Sequence, residues 1–152
     1  MNMPISPKSI ILEAMQKTVS ENGYLVLLEN EEVQNRDIHE QALAHRLAVH
    51  LEHSGYFSGY NIDCEYNRDG EDPKRDTEKQ LFRPDIVVHV RGPAGPNFIM
   101  IETKKFNDDA QELLEAKEKL LSHKNQFGYD HAFLVIFPKN MNSLDNSSIT
   151  EL

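Results

Sequence analysis

Residues 83–105 read RPDIVVHVRGPAGPNFIMIETKK: two apolar runs joined by RGPAGP, which holds two prolines and two glycines in six residues. Such a segment turns the chain, because Pro presets φ and Gly adopts conformations closed to other residues. PDIVVHV and NFIMIETKK are therefore predicted to be neighbouring antiparallel strands. Pairing through the turn sets Val90 opposite Asn97 and hence Asp85 opposite Glu102. Along the second strand, the two-residue period places Phe98, Met100, Glu102 and Lys104 on one face and Ile99, Ile101 and Thr103 on the other. Two acids thus meet at the ends of the most apolar runs in the chain, with Lys104 beside one of them.

Paired carboxylates that are partly removed from water repel each other unless a cation neutralises them. A hard divalent ion such as Mg²⁺ takes oxygen ligands of this kind while keeping several waters. A neighbouring ammonium can polarise one of those waters or meet charge developing on a phosphate. The plain alternative for Glu102-x-Lys104 is an exposed ion pair at a strand end, worth about 0–1 kcal/mol.

The surrounding sequence supplies helices and further strands. Ser6-Pro7 has the form of an N-cap followed by proline in the first helical position, leading into Ile10, Ile11, Ala14, Met15 and Val19 and stopping at Asn22-Gly23. YLVLLENEE, from residue 24, has no usable period and is left unassigned. Asp37 to His53 is predicted as a helix opened by a D-x-x-E capping box, with a stripe of Leu43, Ala44, Leu47, Ala48 and Leu51. Glu40 falls on that stripe, so it either aims toward the sheet or reaches back to cap its own helix. NIDCEYN (61–67) suits a strand, and the charged segment 68–80 suits a loop. Asn107 or Asp108 is expected to cap a helix to about Ser122, with Ala110, Leu113, Leu114, Leu120 and Leu121 inward and a Glu115–Lys119 pair outward. HAFLVIF (131–137) is a buried strand. The expected domain is residues 1–140, with 141–152 a disordered tail.

At 152 residues the chain suits one domain, and no apolar run approaches the roughly 20 residues a membrane helix requires. MNMPISPKS lacks the basic-then-apolar plan of a signal peptide, and the single Cys64 cannot form an internal disulfide, so the expected compartment is a reducing cytoplasm. The net charge of −9 argues against a protein that coats nucleic acid. Its distribution is uneven: residues 68–105 hold eight Lys or Arg against seven acids, whereas 1–66 hold four against ten. Lys74, Arg75, Lys79, Arg83 and Lys105 are accordingly the candidates for contact with a phosphate backbone, with a solvated charged loop as the alternative. Tyr66, Tyr129 and Phe106 are weaker candidates for stacking on bases, against core or surface roles. His50 and His53 have an i, i+3 spacing but lack the further ligands of a zinc site, and His39-Glu40 lacks the second histidine of H-E-x-x-H.

Pro84-Asp85, then Glu102-Thr103-Lys104 on the next strand, preceded by a helix carrying Glu40, resembles the PD-(D/E)xK nuclease superfamily. The order helix, three strands, helix, strand over residues 37–137 is similar to that superfamily's restriction-endonuclease-like αβββαβ core, an α/β fold with a mixed central sheet flanked by helices. The resemblance implies metal-dependent hydrolysis of phosphodiester bonds in DNA. It implies Asp85, Glu102 and Thr103 around Mg²⁺ or Mn²⁺, with Lys104 catalytic and Glu40 an auxiliary acid. A homodimer would be a simple way to cut both strands of a duplex. A noncatalytic binding or scaffolding module of the same fold, within a nucleic-acid or defence complex, is the alternative.

Overall fold

The fold, taken from a computed structural model, is described for residues 5–22, 36–66, 75, 83–92, 95–106, 109–138 and 143–152. Helix α1 (Pro7–Glu21) starts where Ser6 Oγ accepts from Ser9 N at 3.2 Å, with Pro7 in the first turn, where its missing N–H costs nothing. Its inner side buries Ile10, Ile11, Ala14, Met15 and Val19. Thr18, also buried, donates its hydroxyl to Ala14 O at 2.8 Å and so carries no unsatisfied group into the core. Helix α2 (Arg36–His53) begins one residue before the predicted start. Leu43, Leu47 and Leu51 on α2 are fully buried.

Among the described residues, five strands form one sheet in the order β1 (Asn61–Cys64), β2 (Ile86–His89), β3 (Asn97–Lys105), β4 (His131–Phe137) and β5 (Ile149–Glu151). Neighbours are antiparallel except β3 and β4, which run parallel and are joined by helix α3 (Ala110–Phe127). A parallel pair needs a long crossover, and α3 supplies it. The protein is therefore α/β with a mixed sheet flanked by helices. One sheet face, with Ile86, Ile101, Phe133 and Val135, packs on α1 and α2; the other, with Val87, Met100, Ala132 and Leu134, packs on Leu120 of α3 and on Tyr129. Among the described residues, no helix is long and apolar enough to cross a membrane.

The β2–β3 register is Ile86↔Ile101, Val87↔Met100 and Val88↔Ile99, the pairing predicted from the turn. At the turn itself it slips by one, to His89↔Asn97, so Val90 is not opposite Asn97. The extra residue is Phe98. It leaves the face of Met100 and packs on the α2 side, stacked on Tyr60 with ring centroids 5.0 Å apart and edge-on to Phe57 at 6.3 Å. Gly95 is obligatory in this turn: a Cβ there would lie 1.7 Å from Val90 O.

Two other expectations are corrected. Residues 143–152 are not a disordered tail: Asp145 caps a single 3₁₀ turn (Asn146–Ser148), and β5 then pairs with β4. Ile149 is buried, Leu152 N donates to Ala132 O at 2.9 Å, and Lys124 Nζ donates to Leu152 O at 2.8 Å. A three-residue strand shows no periodicity of its own; it is held by the edge of β4, whose backbone groups need partners. Helix α3 is capped by Asp109, whose side chain accepts from Gln111 N and Glu112 N, and it runs past Ser122 to Gly128 in left-handed conformation (φ 68°). Of its expected inward residues only Leu120 is buried; Leu113 is half-buried, and Ala110, Leu114 and Leu121 are exposed. A helix cannot turn both members of Leu113-Leu114 or Leu120-Leu121 toward one sheet, and His123 takes the remaining inner position.

Candidate active site

Asp85 enters β2, and Glu102, Thr103 and Lys104 follow one another on β3. Because Ile86 pairs with Ile101, the next pair outward brings Asp85 and Glu102 together. Asp85 N donates to Glu102 Oε1 at 3.3 Å. Asp85 Oδ2 accepts from Thr103 N at 2.8 Å and from Thr103 Oγ1 at 3.1 Å. Burial pushes the Asp85 carboxyl above its usual range, an effect the Thr103 donors partly offset and the Glu65 charge adds to. Glu102 is raised well above the usual carboxylate range, first by burial and then by the Asp85 charge. Negative charge at this pair is under-compensated by the protein itself, and the pair favours holding a proton or a cation.

Glu102 and Lys104 look from the sheet toward α3 and share a cavity of about 610 Å³. Across it, α3 presents Glu112, Ala116, Lys119 and His123, and Arg83 also lines it. Lys104, with 27% of its side chain exposed, lies 3.9 Å from Glu112 Oε1, too far for a strong hydrogen bond and close enough to hold the ammonium over the cavity. The Glu115–Lys119 pair, expected to face away, belongs to the cavity rim.

Glu40 Oε1 accepts from Lys105 N at 3.4 Å, so its side chain reaches the end of β3 as its place on the leucine stripe suggests. It does so from the α2 layer, on the face of Thr103, whereas Glu102 and Lys104 face α3. The four residues meet around one strand end without entering one cavity. Arg83 lines the cavity. Arg75 is exposed and tied to α3 through its carbonyl, which accepts from Gln126 Nε2 at 2.6 Å. Lys105 is half-buried and fixed by its amide to Glu40. Lys74 and Lys79 lie outside the described residues. Of the aromatic candidates, Tyr129 is buried in the core beneath α3, Tyr66 packs edge-on to His89 at 4.3 Å, and Phe106 is exposed. His50 turns to Asn22 Oδ1 at 3.3 Å, and His53 is exposed.

Glu65 escaped the sequence reading. It is the one described non-glycine residue with positive φ (50°), a conformation that costs on the order of 1–3 kcal/mol. Its amide donates to Asp85 O at 3.1 Å, its carboxylate accepts from Gln41 Nε2 at 3.4 Å, and with Gln41, Ala44, Cys64 and Asp85 it lines a second cavity of about 140 Å³. The acidic end of NIDCE was the only trace of it in sequence. Burial raises the Cys64 thiol, with the charges of Asp85, Glu65 and Asp63 adding to the effect, so it is not an activated nucleophile.

Among the described residues no three His, Cys, Asp or Glu side chains gather as a complete ligand set. Mg²⁺ asks for less: one or two carboxylates suffice when waters fill the remaining positions. The adjacent Asp85 and Glu102 fit that demand. Comparison with known protein families, with curated proteins and with solved structures finds no match for this chain.

The raised Glu102 carboxyl sets a pH dependence for the metal-free protein. A carboxyl whose folded pKa exceeds its unfolded value stabilises the fold below the ordinary Glu value of 4.5 and loses that contribution as pH rises through the folded value. Stability in chelator should therefore fall as pH increases from 4.5 upward, and Glu102→Gln should flatten the decline. At pH 8 the variant should melt a few degrees higher, since about 1 kcal/mol moves Tm by ~2–4 °C at this size. Parallel pH series of thermal melts check this; equal slopes for both proteins would contradict the burial of Glu102.

Proposed function

We propose that the protein is a divalent-metal-dependent nuclease that hydrolyses phosphodiester bonds of DNA, on a restriction-endonuclease-like αβββαβ core formed by α2, β1–β3, α3 and β4. The observation that carries this reading is the contact between Asp85 and Glu102, two carboxyls raised by shared burial, with Lys104 next on the same face of β3. Glu102 and Lys104 line the cavity toward α3, and Asp85 meets Glu102 from the side of the second cavity.

Asp85, Glu102 and Thr103 are the residues that would hold Mg²⁺ or Mn²⁺; when bound, the ion supplies a more acidic water and a Lewis-acid contact to a phosphoryl oxygen. Lys104 donates to a non-bridging phosphate oxygen and meets the charge that develops there. Thr103, through its amide and hydroxyl, fixes the rotamer of Asp85. Glu40 is a positioning residue: it anchors the end of β3 through the Lys105 amide. In hydrolysis the water oxygen forms the new P–O bond and gives up a proton to solvent, the bond to one ester oxygen breaks, and that oxygen leaves with a proton from solvent. A cytoplasmic setting suits the single free cysteine.

Thermal melts test the site directly. An ion that binds only the native state adds about 2.7 kcal/mol at a hundred times its Kd, which is a rise of ~5–11 °C at this size. Wild-type protein should show that rise with magnesium, and Asp85→Asn should lose most of it while melting no lower than wild type in chelator. Identical magnesium responses would remove the proposed site. Cleavage of DNA with magnesium, with manganese and with chelator then tests the reaction.

A further inference from the structure

We propose that Glu65 is a positioning residue for the Asp85–Glu102 pair: its left-handed backbone ends the β1–β2 ladder halfway and leaves the Asp85 amide to hold the Glu102 carboxylate. This deepens the nuclease reading above, and its consequence for metal binding rests on that reading. The last pair of β1 and β2 is Cys64↔Ile86, so Glu65 comes next, opposite Asp85. A hydrogen-bonded antiparallel pair exchanges two bonds, from N–H to C=O in each direction. Here one of them is made, from Glu65 N to Asp85 O at 3.1 Å. The Asp85 N–H, which the other would take, goes to Glu102 Oε1 at 3.3 Å. At Glu65 the chain leaves strand geometry with φ 50°. An extended Glu65 would present its own carbonyl to the Asp85 amide and compete for it with the Glu102 carboxylate.

The backbone of Glu65, and not its carboxylate, has this role. The carboxylate accepts from Gln41 Nε2 at 3.4 Å, near the limit for a hydrogen bond, and its charge opposes that of Asp85. Neither effect holds Asp85 in place. The main chain of Asp85, by contrast, is fixed from both neighbours: β1 ends in the donor to its carbonyl, and β3 carries the acceptor for its amide. Thr103 N and Oγ1 then fix its carboxylate at 2.8 and 3.1 Å. Of these contacts, the one from Glu65 comes from a residue in a conformation that L-residues other than Gly, Asn and Asp avoid. Glu65 is therefore the point at which the pair can be loosened without changing either acid.

The test is amide hydrogen exchange followed by NMR in chelator, on wild type, Glu65→Gly and Glu65→Val. Both variants remove the carboxylate, but Gly accepts positive φ freely and a β-branched residue resists it most. In Glu65→Val the Asp85 amide should exchange about tenfold faster or more, the factor carried by one hydrogen bond to a charged group. The rate is read against the Leu134 amide on β4, between β3 and β5, because a merely structural defect would speed both together. Glu65→Gly should protect Asp85 at least as well as wild type. Unchanged Asp85 exchange in Glu65→Val, or faster exchange in Glu65→Gly, overturns the proposal, and the second criterion decides alone if Glu65→Val does not fold. Calorimetry with magnesium separates the proposal from the reading beneath it. Glu65→Val should bind the ion about 10–100-fold more weakly, as when a group that orients a ligand is lost, and Glu65→Gly should bind it like wild type. Equal affinity in all three overturns the positioning role and leaves the nuclease. No magnesium binding by wild type removes the nuclease and, with exchange as expected, leaves the hold of Glu65 on the pair.

Discussion

Lys104→Ala is expected to lower the rate of DNA cleavage by about 10²–10³-fold, the loss that follows removal of one donor aimed at developing charge. The same change should hardly touch the fold. Lys104 keeps 27% of its side chain exposed, and its nearest acid, Glu112, is 3.9 Å away and half in solvent. Exposed pairs of this kind contribute about 0–1 kcal/mol, so Tm should move by no more than ~2–4 °C. Single-turnover cleavage and thermal melts on the same preparation separate the two effects. Wild-type turnover in a folded variant would return Glu102-x-Lys104 to an ordinary strand-end ion pair.

Phe133→Ala is expected to destabilise the protein by about 3–5 kcal/mol, because the ring is fully buried on β4, between the β3 and β5 ladders, and its loss leaves a cavity under α1 and α2. Leu114→Ala provides the contrast: on the outer side of α3 with 49% exposure, it should change stability by no more than about 0.5 kcal/mol. Urea denaturation with unchanged m-values measures both. A cost at Leu114 comparable to that at Phe133 would mean that α3 is rotated about its axis relative to the sheet.

The Asp85–Glu102 pair was legible in sequence because two local rules suffice for it. A Pro- and Gly-rich turn dictates which residues face each other, and the two-residue period dictates which side chains share a face. The bulge at Phe98 shows how narrowly this works: the register slips at the turn, yet from Val88↔Ile99 onward it is the one the turn implied, so the acids still meet. The cavity that Glu102 and Lys104 line was not legible. Its far wall is α3, a helix charged on several sides with two leucine doublets, whose rotation is set by how Leu120 and His123 fit beneath the sheet and not by any stripe of its own.

By itself the sequence determined the start of α1, the leucine stripe of α2, the strands that carry Asp85 and Glu102, and their pairing, because capping, periodicity and turn chemistry act over a few residues. Only the tertiary structure decided the rest. It set Glu40 on the α2 side of β3 while Lys104 faces α3, turned Glu65 into a strained contact with Asp85, rotated Leu114 and Leu121 to solvent, and closed the sheet with β5. Each of these depends on groups far apart in the chain competing for one buried surface or one open strand edge, and a local pattern carries no record of that competition.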